Sequence, residues 1–365
     1  MPTERLTGAQ VLVRSLIGEG VEHVFGLPGV QLDWLFDALY EATDRLQVIH
    51  TRHEQTTAYM ADGYARTSGK VGVCAVVPGP GLLNASAALA TAFACSSPLV
   101  CLTGQVDSRA IDVGFGLLHE VPRQERILAS LTKWSGRAMK PSDVPHLVRR
   151  AFSEARSGRP RPVAIELPPD VLQAVADITL LEPARPERAP ADPDKLEQAA
   201  ELLARAARPV IYSGGGTLAA GAWQELQALA ELLEAPVVMS VDGRGALSDR
   251  HDLAHTGVTG ADLVREADVL LAIGTRFWQP TRVWGLARSS ASTRTRPSST
   301  ATSTRGSPLP PTRSWPWPAC GIVWMTFPRG PRDAPSCARA RQPLTNSCAR
   351  YSRRRPSLAR SAPHW

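Results

Sequence analysis

A repeated alternation of short apolar runs and helical segments constrains the fold of this chain more than any other feature. Residues 71–77 and 98–104 are apolar at most positions, without the polar alternation of a half-exposed strand. This pattern is typical of strands covered on both faces, as in parallel sheets. Segments with apolar residues at helical spacing, such as residues 8–22, separate these runs. The order predicts an α/β fold in which helices cover both faces of a parallel sheet.

The same alternation divides the chain into two folded units. Residues 1–180 predict a three-layer domain built on a parallel sheet. Residues 181–193 are rich in Pro, Ala and charged residues, which is typical of a linker. Residues 194–286 predict a truncated, Rossmann-like central domain, because the strand and helix patterns stop before a doubly wound sheet would be complete.

A glycine turn follows the first predicted strand of the second unit. The sequence Gly214-x-Gly216-x-x-Ala219 resembles a dinucleotide-binding fingerprint, and Asp242 lies at a suitable separation for a ribose contact. The alternative is a turn whose glycines only let a helix and a strand pack closely. The pattern leaves both interpretations open. The first interpretation also leaves open FAD as a second cofactor.

The composition changes abruptly at residue 287. Residues 287–365 contain 14 Arg, no Lys and one acidic residue, a net charge of +13, whereas residues 1–286 carry 27 basic and 33 acidic residues, a net charge of −6. No helical or strand period continues there, and Arg without Lys is typical of a GC-rich gene translated out of frame. We therefore expect an unfolded, frameshifted tail. A basic, Trp-containing arm for nucleic acid is the alternative, but we expect no nucleic-acid partner.

The remaining composition bears on the compartment. No apolar run approaches the length of a membrane-spanning helix, and the first residues lack the apolar core of a signal peptide. Six cysteines without C-x-x-C spacing suit a reduced protein that has no structural zinc. These observations predict a cytoplasmic protein without a membrane partner.

Glu54 is the main candidate for a functional residue. Val48 and Ile49 end a predicted strand, and residues 55–66 have alanines at helical spacing. Glu54 therefore lies where a strand leads into a helix, which is where site residues of open α/β sheets are found. The alternative is that Thr51-x-x-Glu54 is a capping box that only starts a surface helix.

Seven short motifs in one order connect the first domain with a known family. They are Val24-Phe25-Gly26-Leu27-Pro28-Gly29, Arg52-His53-Glu54, Ala61-Asp62-Gly63-Tyr64-Ala65-Arg66, Gly79-Pro80-Gly81-Leu82-Leu83-Asn84, Leu102-Thr103-Gly104-Gln105, Thr132-Lys133-Trp134 and Ser157-Gly158-Arg159-Pro160. With these motifs the domain resembles the pyrimidine-binding domain of thiamine-diphosphate-dependent enzymes, specifically the acetolactate synthase-like group. Residues 190–286 resemble the start of the family's central domain, with Gly274-Thr275-Arg276-Phe277 in the expected place.

The resemblance implies thiamine diphosphate as the cofactor and Glu54 as the catalytic residue. In that family the cofactor reacts through a carbanion at C2 of its thiazolium ring. A Glu that hydrogen-bonds N1′ of the aminopyrimidine favours the imino form that generates this carbanion. The resemblance further implies Pro28, Gly29, Gly81, Asn84 and Gln105 at the cofactor, and His119 and Lys133 at a 2-oxo acid substrate. Alternatively, the glycines serve ordinary turn geometry and His119 is an ordinary loop histidine.

Three departures from the acetolactate synthase pattern concern the substrate. This chain has Leu118-His119-Glu120 where those enzymes have Phe-Gln-Glu, and Pro168-Pro169-Asp170 where they have Pro-Lys-Asp. Val30 also replaces the second glycine of their Pro-Gly-Gly. The first two segments border the substrate pocket in that family. A related 2-oxo-acid decarboxylase or carboligase therefore fits as well as the condensation of two pyruvates.

The resemblance also implies Mg²⁺, which in the family binds the cofactor diphosphate through Gly-Asp-Gly and a downstream Asn in a third domain. This sequence has no Gly-Asp-Gly and only two asparagines, Asn84 and Asn346. We therefore predict no metal ligands in this chain and no turnover by the chain alone. The family assembles its site between subunits, so we expect a homodimer, a tetramer or a full-length paralogue as the partner.

Three classes of function follow from these observations. The leading one is a thiamine-diphosphate-dependent carbon–carbon lyase or ligase that acts on a 2-oxo acid. The second is a non-catalytic subunit that pairs with a full-length paralogue. The third is a nucleotide-binding oxidoreductase built on Gly214 and Gly216.

Overall fold

The protein is described by a computed structural model for residues 3–183 and 191–277 and for the backbone of residues 321–325. The predicted α/β class is confirmed, because the described residues form two parallel sheets with helices packed against them. Most of the predicted linker and most of the predicted tail lie outside the described residues. The domain boundaries at 180, 193 and 286 stay predictions.

The first domain contains a six-stranded parallel sheet. The strands of this part of the chain are β1 (Thr3–Thr7), β2 (His23–Gly26), β3 (Gln47–His50), β4 (Gly72–Val76), β5 (Leu99–Gly104), β6 (Ser135–Arg137), β7 (Val163–Leu167) and β8 (Val175–Thr179). The parallel sheet has the order β3-β2-β4-β5-β7-β6. Every residue of β4, β5 and β7 is buried, and β4 and β5 lie in the predicted apolar runs at residues 71–77 and 98–104.

Helices cover both faces of this sheet. They are α1 (Gly8–Gly18), α2 (Asp33–Glu41), α3 (Glu54–Ser68), α4 (Pro80–Cys95), α5 (Gln124–Leu131), α6 (Val144–Arg156) and α7 (Pro169–Gln173). One core joins α1, α2, α6 and α7 to the sheet, and a second core joins α3, α4 and α5 to its other face. The second core is rich in alanine, for example Ala58 and Ala61 of α3 and Ala85 and Ala88 of α4. Small residues let α3 and α4 approach closely.

Two parts of this domain are absent from the sequence predictions. Strands β1 and β8 form an antiparallel pair, with Thr3 opposite Thr179 and Thr7 opposite Val175. Helix α5 and the three-residue β6 lie inside residues 105–141, which follow the apolar run at residues 98–104. Both parts are short and half-exposed, so they leave little periodicity in the sequence.

The central domain also contains a parallel sheet. Its strands are β9 (Pro209–Ser213), β10 (Val237–Met239), β11 (Ala254–Thr256), β12 (Val269–Ile273) and β13 (Gly321–Met325), in the order β11-β10-β9-β12-β13. Its helices are α8 (Pro193–Ala204), α9 (Gly215–Ala220), α10 (Trp223–Leu233) and α11 (Ala261–Glu266). Within the described part of the chain, no helix is long and apolar enough to cross a membrane.

Strand β13 lies in the range for which the sequence predicts no packed structure. Its backbone pairs in parallel with β12, from Gly321 opposite Val269 to Met325 opposite Ile273. These five residues therefore depart from that expectation. The rest of residues 287–365 lies outside the described residues, so the frameshifted tail remains a prediction there.

Candidate active site

Glu54 is the first residue of α3. His53 is the N-cap of this helix, and its Nδ1 accepts a hydrogen bond from the backbone N–H of Gln55 at 3.1 Å. The hydroxyl of Thr51 lies 2.5 Å from that of Thr57. A capping box needs its acid at the third helical position and its hydroxyl at the N-cap. The capping-box alternative is therefore wrong, because Glu54 and Thr51 occupy neither place.

The carboxylate of Glu54 is half-buried and meets the start of α4. Nδ2 of Asn84 donates to Oε2 of Glu54 at 3.0 Å. Among the described residues, no group donates a hydrogen bond to Oε1. A negative charge in the first turn of α3 is stabilised by the exposed N–H groups there. The result is a fixed carboxylate with one oxygen available to a ligand.

Val77 lies against two of the predicted site glycines. A Cβ at Gly29 would lie 2.5 Å from Cγ1 of Val77, and a Cβ at Gly81 would lie 2.6 Å from its Cγ2. The backbone of Gly29 is extended, with φ −179°, so its conformation does not require glycine. This packing supports the turn-geometry alternative for both glycines. Pro28 is exposed next to Gly29, and the cofactor roles of these residues stay predictions.

The side chain of Lys133 binds the C-terminal end of α6. Its Nζ donates to the carbonyl oxygens of Glu154 and Ser157 at 2.7 and 2.8 Å. A cation there compensates the unpaired carbonyls of a helix C-terminus. Burial lowers the pKa of Lys133 despite the nearby carboxylate of Glu154. Lys133 makes no hydrogen bond to Glu54, so its substrate role rests on the resemblance alone.

His119 lies in the loop between β5 and α5, in a left-handed conformation with φ 67°. Its Nδ1 lies 2.9 Å from Oε1 of Gln31, whose Nε2 donates to the carbonyl of Leu118 at 2.9 Å. A Cβ at Gly79 would lie 2.4 Å from the carbonyl oxygen of His119. The structure therefore brings His119 to the turn from which α4 begins. Its role as a substrate-facing group stays a prediction.

The two segments that depart from the acetolactate synthase pattern both order the loop after β5. Glu120 accepts hydrogen bonds from the N–H groups of Gly114 and Leu117 at 3.0 and 2.9 Å. Asp170 accepts from the N–H and the hydroxyl of Ser108 at 2.9 and 2.5 Å. Both acids, which this chain shares with that pattern, bind the loop itself. His119 is the polar residue that departs from the pattern, and it lies beside Gly79 at the start of α4.

A buried polar network that the sequence analysis missed adjoins this turn. The carboxylate of Glu166, in β7, accepts from Gln105, Gln124 and Arg137 at 3.1, 2.9 and 2.8 Å. Oε1 of Gln105 accepts from the N–H of Val106 at 2.8 Å, so both ends of the Gln105 amide are used inside the protein. An acidic residue inside the apolar run of β7 was the signal that could have revealed this network, because a buried charge needs partners.

The glycine turn of the central domain packs against a second glycine backbone. The N–H of Gly216 donates to the carbonyl of Gly274 at 2.8 Å. A Cβ at Gly214 would lie 2.4 Å from that oxygen, and a Cβ at Gly216 would lie 2.7 Å from Cα of Gly274. The helix that follows, α9, has six residues. These contacts favour the close-packing interpretation over the dinucleotide fingerprint with FAD.

Positive charge gathers between the two domains. Burial, together with repulsion from Arg276 and Arg161, lowers the pKa of Arg159 to about 10. The guanidinium of Arg161 lies 3.8 Å from the ring centroid of Phe93, and that of Arg276 lies 3.2 Å from Oδ2 of Asp242. Asp242 pairs with Arg276 and lies near Arg159, while Arg161 stands on Phe93, an excess of positive charge that the sequence analysis did not identify.

Within residues 3–183 and 191–277, no three His, Cys, Asp or Glu side chains are grouped so that they could hold a metal ion. The prediction that this chain has no Mg²⁺ site concerns the whole chain, and it stays a prediction.

Two family models match this chain. Residues 6–127 match the family described as "Thiamine pyrophosphate enzyme, N-terminal TPP binding domain". Residues 196–294 match the family described as "Thiamine pyrophosphate enzyme, central domain". The two matches follow each other in the order in which the two sheets occur along the chain.

Similar proteins are named either as a decarboxylase or as acetolactate synthases. The chain is 41% identical over 290 residues to a probable 2-ketoarginine decarboxylase of Pseudomonas aeruginosa, covering 76% of this chain and 51% of that protein. It is 39% identical over 285 residues to a probable acetolactate synthase large subunit of Methanocaldococcus jannaschii, covering 74% and 47%. It is 37% identical over 286 residues to the acetolactate synthase isozyme 3 large subunit of Escherichia coli, covering 75% and 49%. The chain spans about half the length of these curated relatives. The chain belongs to the thiamine pyrophosphate enzyme family.

Proposed function

We propose that this protein takes part in the thiamine-diphosphate-dependent cleavage or formation of a carbon–carbon bond next to the carbonyl of a 2-oxo acid. One observation carries the proposal. The carboxylate of Glu54 lies at a strand–helix junction, one of its oxygens is held by Asn84 at 3.0 Å, and the other has no donor among the described residues. Membership of the family supports the assignment of this site to the cofactor's aminopyrimidine.

The donors and acceptors of the Glu54 site fit an aminopyrimidine. N1′ of that ring needs a partner with which it can share a proton, and a carboxyl group with one available oxygen is such a partner. Asn84 keeps the carboxylate in one orientation by donating to Oε2. Glu54 holds the shared proton, while Val77, Gly29 and Gly81 form the adjacent wall. When bound, thiamine diphosphate supplies the nucleophilic carbon that adds to the 2-oxo acid carbonyl.

The described residues do not fit the metal half of the cofactor site. Mg²⁺ requires a near-octahedral set of oxygen ligands, and no suitable acidic cluster occurs within residues 3–183 and 191–277. We assign no step to the metal. We propose that the diphosphate side is supplied by another subunit, a full-length paralogue that carries the missing domain, and that the isolated chain does not turn over.

The substrate class is proposed to be a 2-oxo acid. The names of the relatives include both a decarboxylase and acetolactate synthases. His119 stands where acetolactate synthases have Gln, and it is anchored by Gln31 beside the start of α4. This position supports a role for His119 in contacting the substrate, and a substrate preference that differs from the condensation of two pyruvates.

A chimaera tests the proposal. Residues 1–286 of this protein replace the equivalent segment of the Pseudomonas aeruginosa relative, which supplies the remaining half. We expect cofactor-dependent release of CO₂ from a 2-oxo acid, assayed with pyruvate and 2-ketoarginine. The chain of 365 residues by itself should give no turnover with either acid. A folded chimaera that binds thiamine diphosphate and Mg²⁺ but leaves both acids intact, and has no other 2-oxo acid substrate, would contradict the proposal.

A further inference from the structure

The start of α4 determines where Asn84 stands relative to Glu54. Gly79 is the N-cap of this helix, with φ 58° and ψ −115°, and Pro80 is its first residue. Asn84 follows within the second turn and reaches Oε2 of Glu54 at 3.0 Å. A rotation or shift of the first turn of α4 would therefore move the amide of Asn84 away from the carboxylate.

One side chain holds the backbone of this turn. The N–H of Gly79 is buried and donates to Oε1 of Gln124 at 2.8 Å, which is the partner that it has among the described residues. Gln124 is itself 1% exposed, so water cannot readily replace it. A buried backbone donor that loses its partner is costly. The position of the turn thus depends on the position of the Gln124 amide.

A charged network fixes the orientation of that amide. Nε2 of Gln124 donates to Oε1 of Glu166 at 2.9 Å and to the carbonyl of Gly104 at 3.1 Å. Glu166 is 2% exposed, and Arg137 donates to its other oxygen at 2.8 Å. A carboxylate opposite the Arg137 guanidinium accepts hydrogen bonds and does not donate them. The Gln124 nitrogen must therefore face Glu166, and its oxygen must face Gly79.

We propose that Gln124 is a positioning residue for the Glu54 site. It touches neither Glu54 nor Asn84, and it acts through Gly79 on the first turn of α4. An amide is needed at this position because one end accepts from Gly79 while the other donates to Glu166. The consequence for catalysis rests on the proposed function, whereas the positioning is a property of the chain without cofactor.

The side-chain amide of Asn84 reports on the proposal directly. The chain has two asparagines, so ¹⁵N-asparagine labelling of the complete chain gives two side-chain NH₂ signals. Asn84→Asp identifies the Asn84 signal, and Glu54→Ala gives its position without the Glu54 contact. We expect Gln124→Leu and Gln124→Met each to move the Asn84 signal most of the way to that position. Hydrogen exchange of the Gly79 amide should accelerate on the order of tenfold, as expected for one lost hydrogen bond.

Thr132→Val is the matched control. It removes a buried hydrogen bond, from Oγ1 of Thr132 to the carbonyl of Leu128 at 2.7 Å, at the other end of α5. This variant should leave the Asn84 signal unchanged, although it weakens the same helix. An equal shift in Thr132→Val and Gln124→Met would mean that any weakening of α5 moves Asn84, and the proposal would be wrong.

Two further results would overturn the proposal. The first is an Asn84 signal that stays in place in a folded Gln124 variant. The second is a Gly79 amide in the wild-type chain that exchanges as fast as an unstructured peptide, a measurement that needs no variant to fold. None of these readouts involves thiamine diphosphate. A failure of the proposed cofactor role would therefore leave them unchanged, and the two failures can be told apart.

Discussion

Two glycine-rich turns follow buried strands in this protein, and their surroundings differ. In the first domain, the turn from Gly79 to Gly81 starts the 16-residue helix α4, and a side chain from α5 binds its N-cap. In the central domain, the turn from Gly214 to Gly216 starts the six-residue α9, and the backbone of Gly274 binds it. The first turn adjoins the half-buried Glu54 as well as the backbone of His119, whereas the glycines of the second turn face the backbone of Gly274.

This difference teaches that a glycine turn after a strand does not by itself indicate a ligand site. Around the first turn, the space beside Gly81 is filled by the side chain of Val77. Side chains can move by some tenths of an ångström, so the surroundings of Gly81 can be adjusted to a bound group, although Gly79 faces the backbone of His119. Around the second turn, Gly214 and Gly216 face the backbone of Gly274, which cannot withdraw as easily. The first turn suits a functional role and the second a packing role.

The largest expected effect tests the functional side of this comparison. Glu54→Gln in the chimaera should slow C2–H/D exchange of bound thiamine diphosphate by about 10²–10⁴-fold, because Gln cannot share a proton with N1′. Quenched NMR of the cofactor measures this exchange before any substrate step. Glu41→Gln is the control, since it removes an exposed carboxylate at the end of α2. Equal exchange rates in wild type and Glu54→Gln would mean that Glu54, beside the first turn, does not share a proton with the cofactor.

The second-largest expected effect tests whether the glycine turn of the central domain serves packing. Gly216→Ala should lower the free energy of unfolding by about 1–3 kcal/mol, as overpacking typically does. Its Cβ would lie 2.7 Å from Cα of Gly274. Urea denaturation measures the loss. Gly63→Ala is the matched control, because no atom lies within 4 Å of its added Cβ on the exposed side of α3. This control should gain about 0.5–1 kcal/mol by its helix propensity. An unchanged midpoint in Gly216→Ala would remove the contrast between the two turns.

The third effect separates orientation from stability at the first turn. Asn84→Ala should slow C2–H/D exchange in the chimaera by about tenfold, because Glu54 loses the hydrogen bond that orients it. The free energy of unfolding should change by less than about 0.5 kcal/mol, since Asn84 is exposed. Ser86→Ala is the control, because it removes a local bond to the carbonyl of Leu83 without contacting Glu54. A rate equal to wild type would mean that Glu54 needs no orienting partner.

The sequence predicted the central strands of the fold well, and the reason is physical. Strands β4 and β5 are buried on both faces, so they appear in the sequence as the largely apolar runs at residues 71–77 and 98–104. Strand β1 was missed because three of its five residues are exposed and its partner β8 lies far along the chain. Helix α5 was missed because it is short and has few buried residues.

The candidate site also has a part that could be predicted from the sequence and a part that could not. Glu54 could be located because the junction of a strand and a helix is visible as a change of period. Its contact with Asn84 could not be derived from the sequence, because the two residues are 30 positions apart on different helices. The Gln124 network joins residues of α5, β6 and β7. Only the charged Glu166 inside an apolar run hinted that such partners exist.

The smallest expected effect concerns pH and the central domain alone. Burial lowers the pKa of His255, in β11, below its ordinary value. As the pH falls below the ordinary value, the unfolded chain binds a proton that the folded chain does not yet bind. The stability contributed by neutral His255 is therefore complete above that value, and it is lost as the pH falls towards the lowered pKa.

The matched variant His255→Gln keeps a polar side chain but does not titrate. We expect the wild type to lose more unfolding free energy than this variant between pH 7.5 and pH 5. Amide exchange of the peptides from β10 and β11 locates the loss in the central domain, while peptides from β4 and α4 should respond equally in both proteins. Parallel pH dependence of wild type and variant would mean that His255 does not couple protonation to the packing of this sheet. The acid sensitivity assigned to the central domain would then be wrong. The comparison between this domain and the Glu54 site would depend only on the two glycine turns.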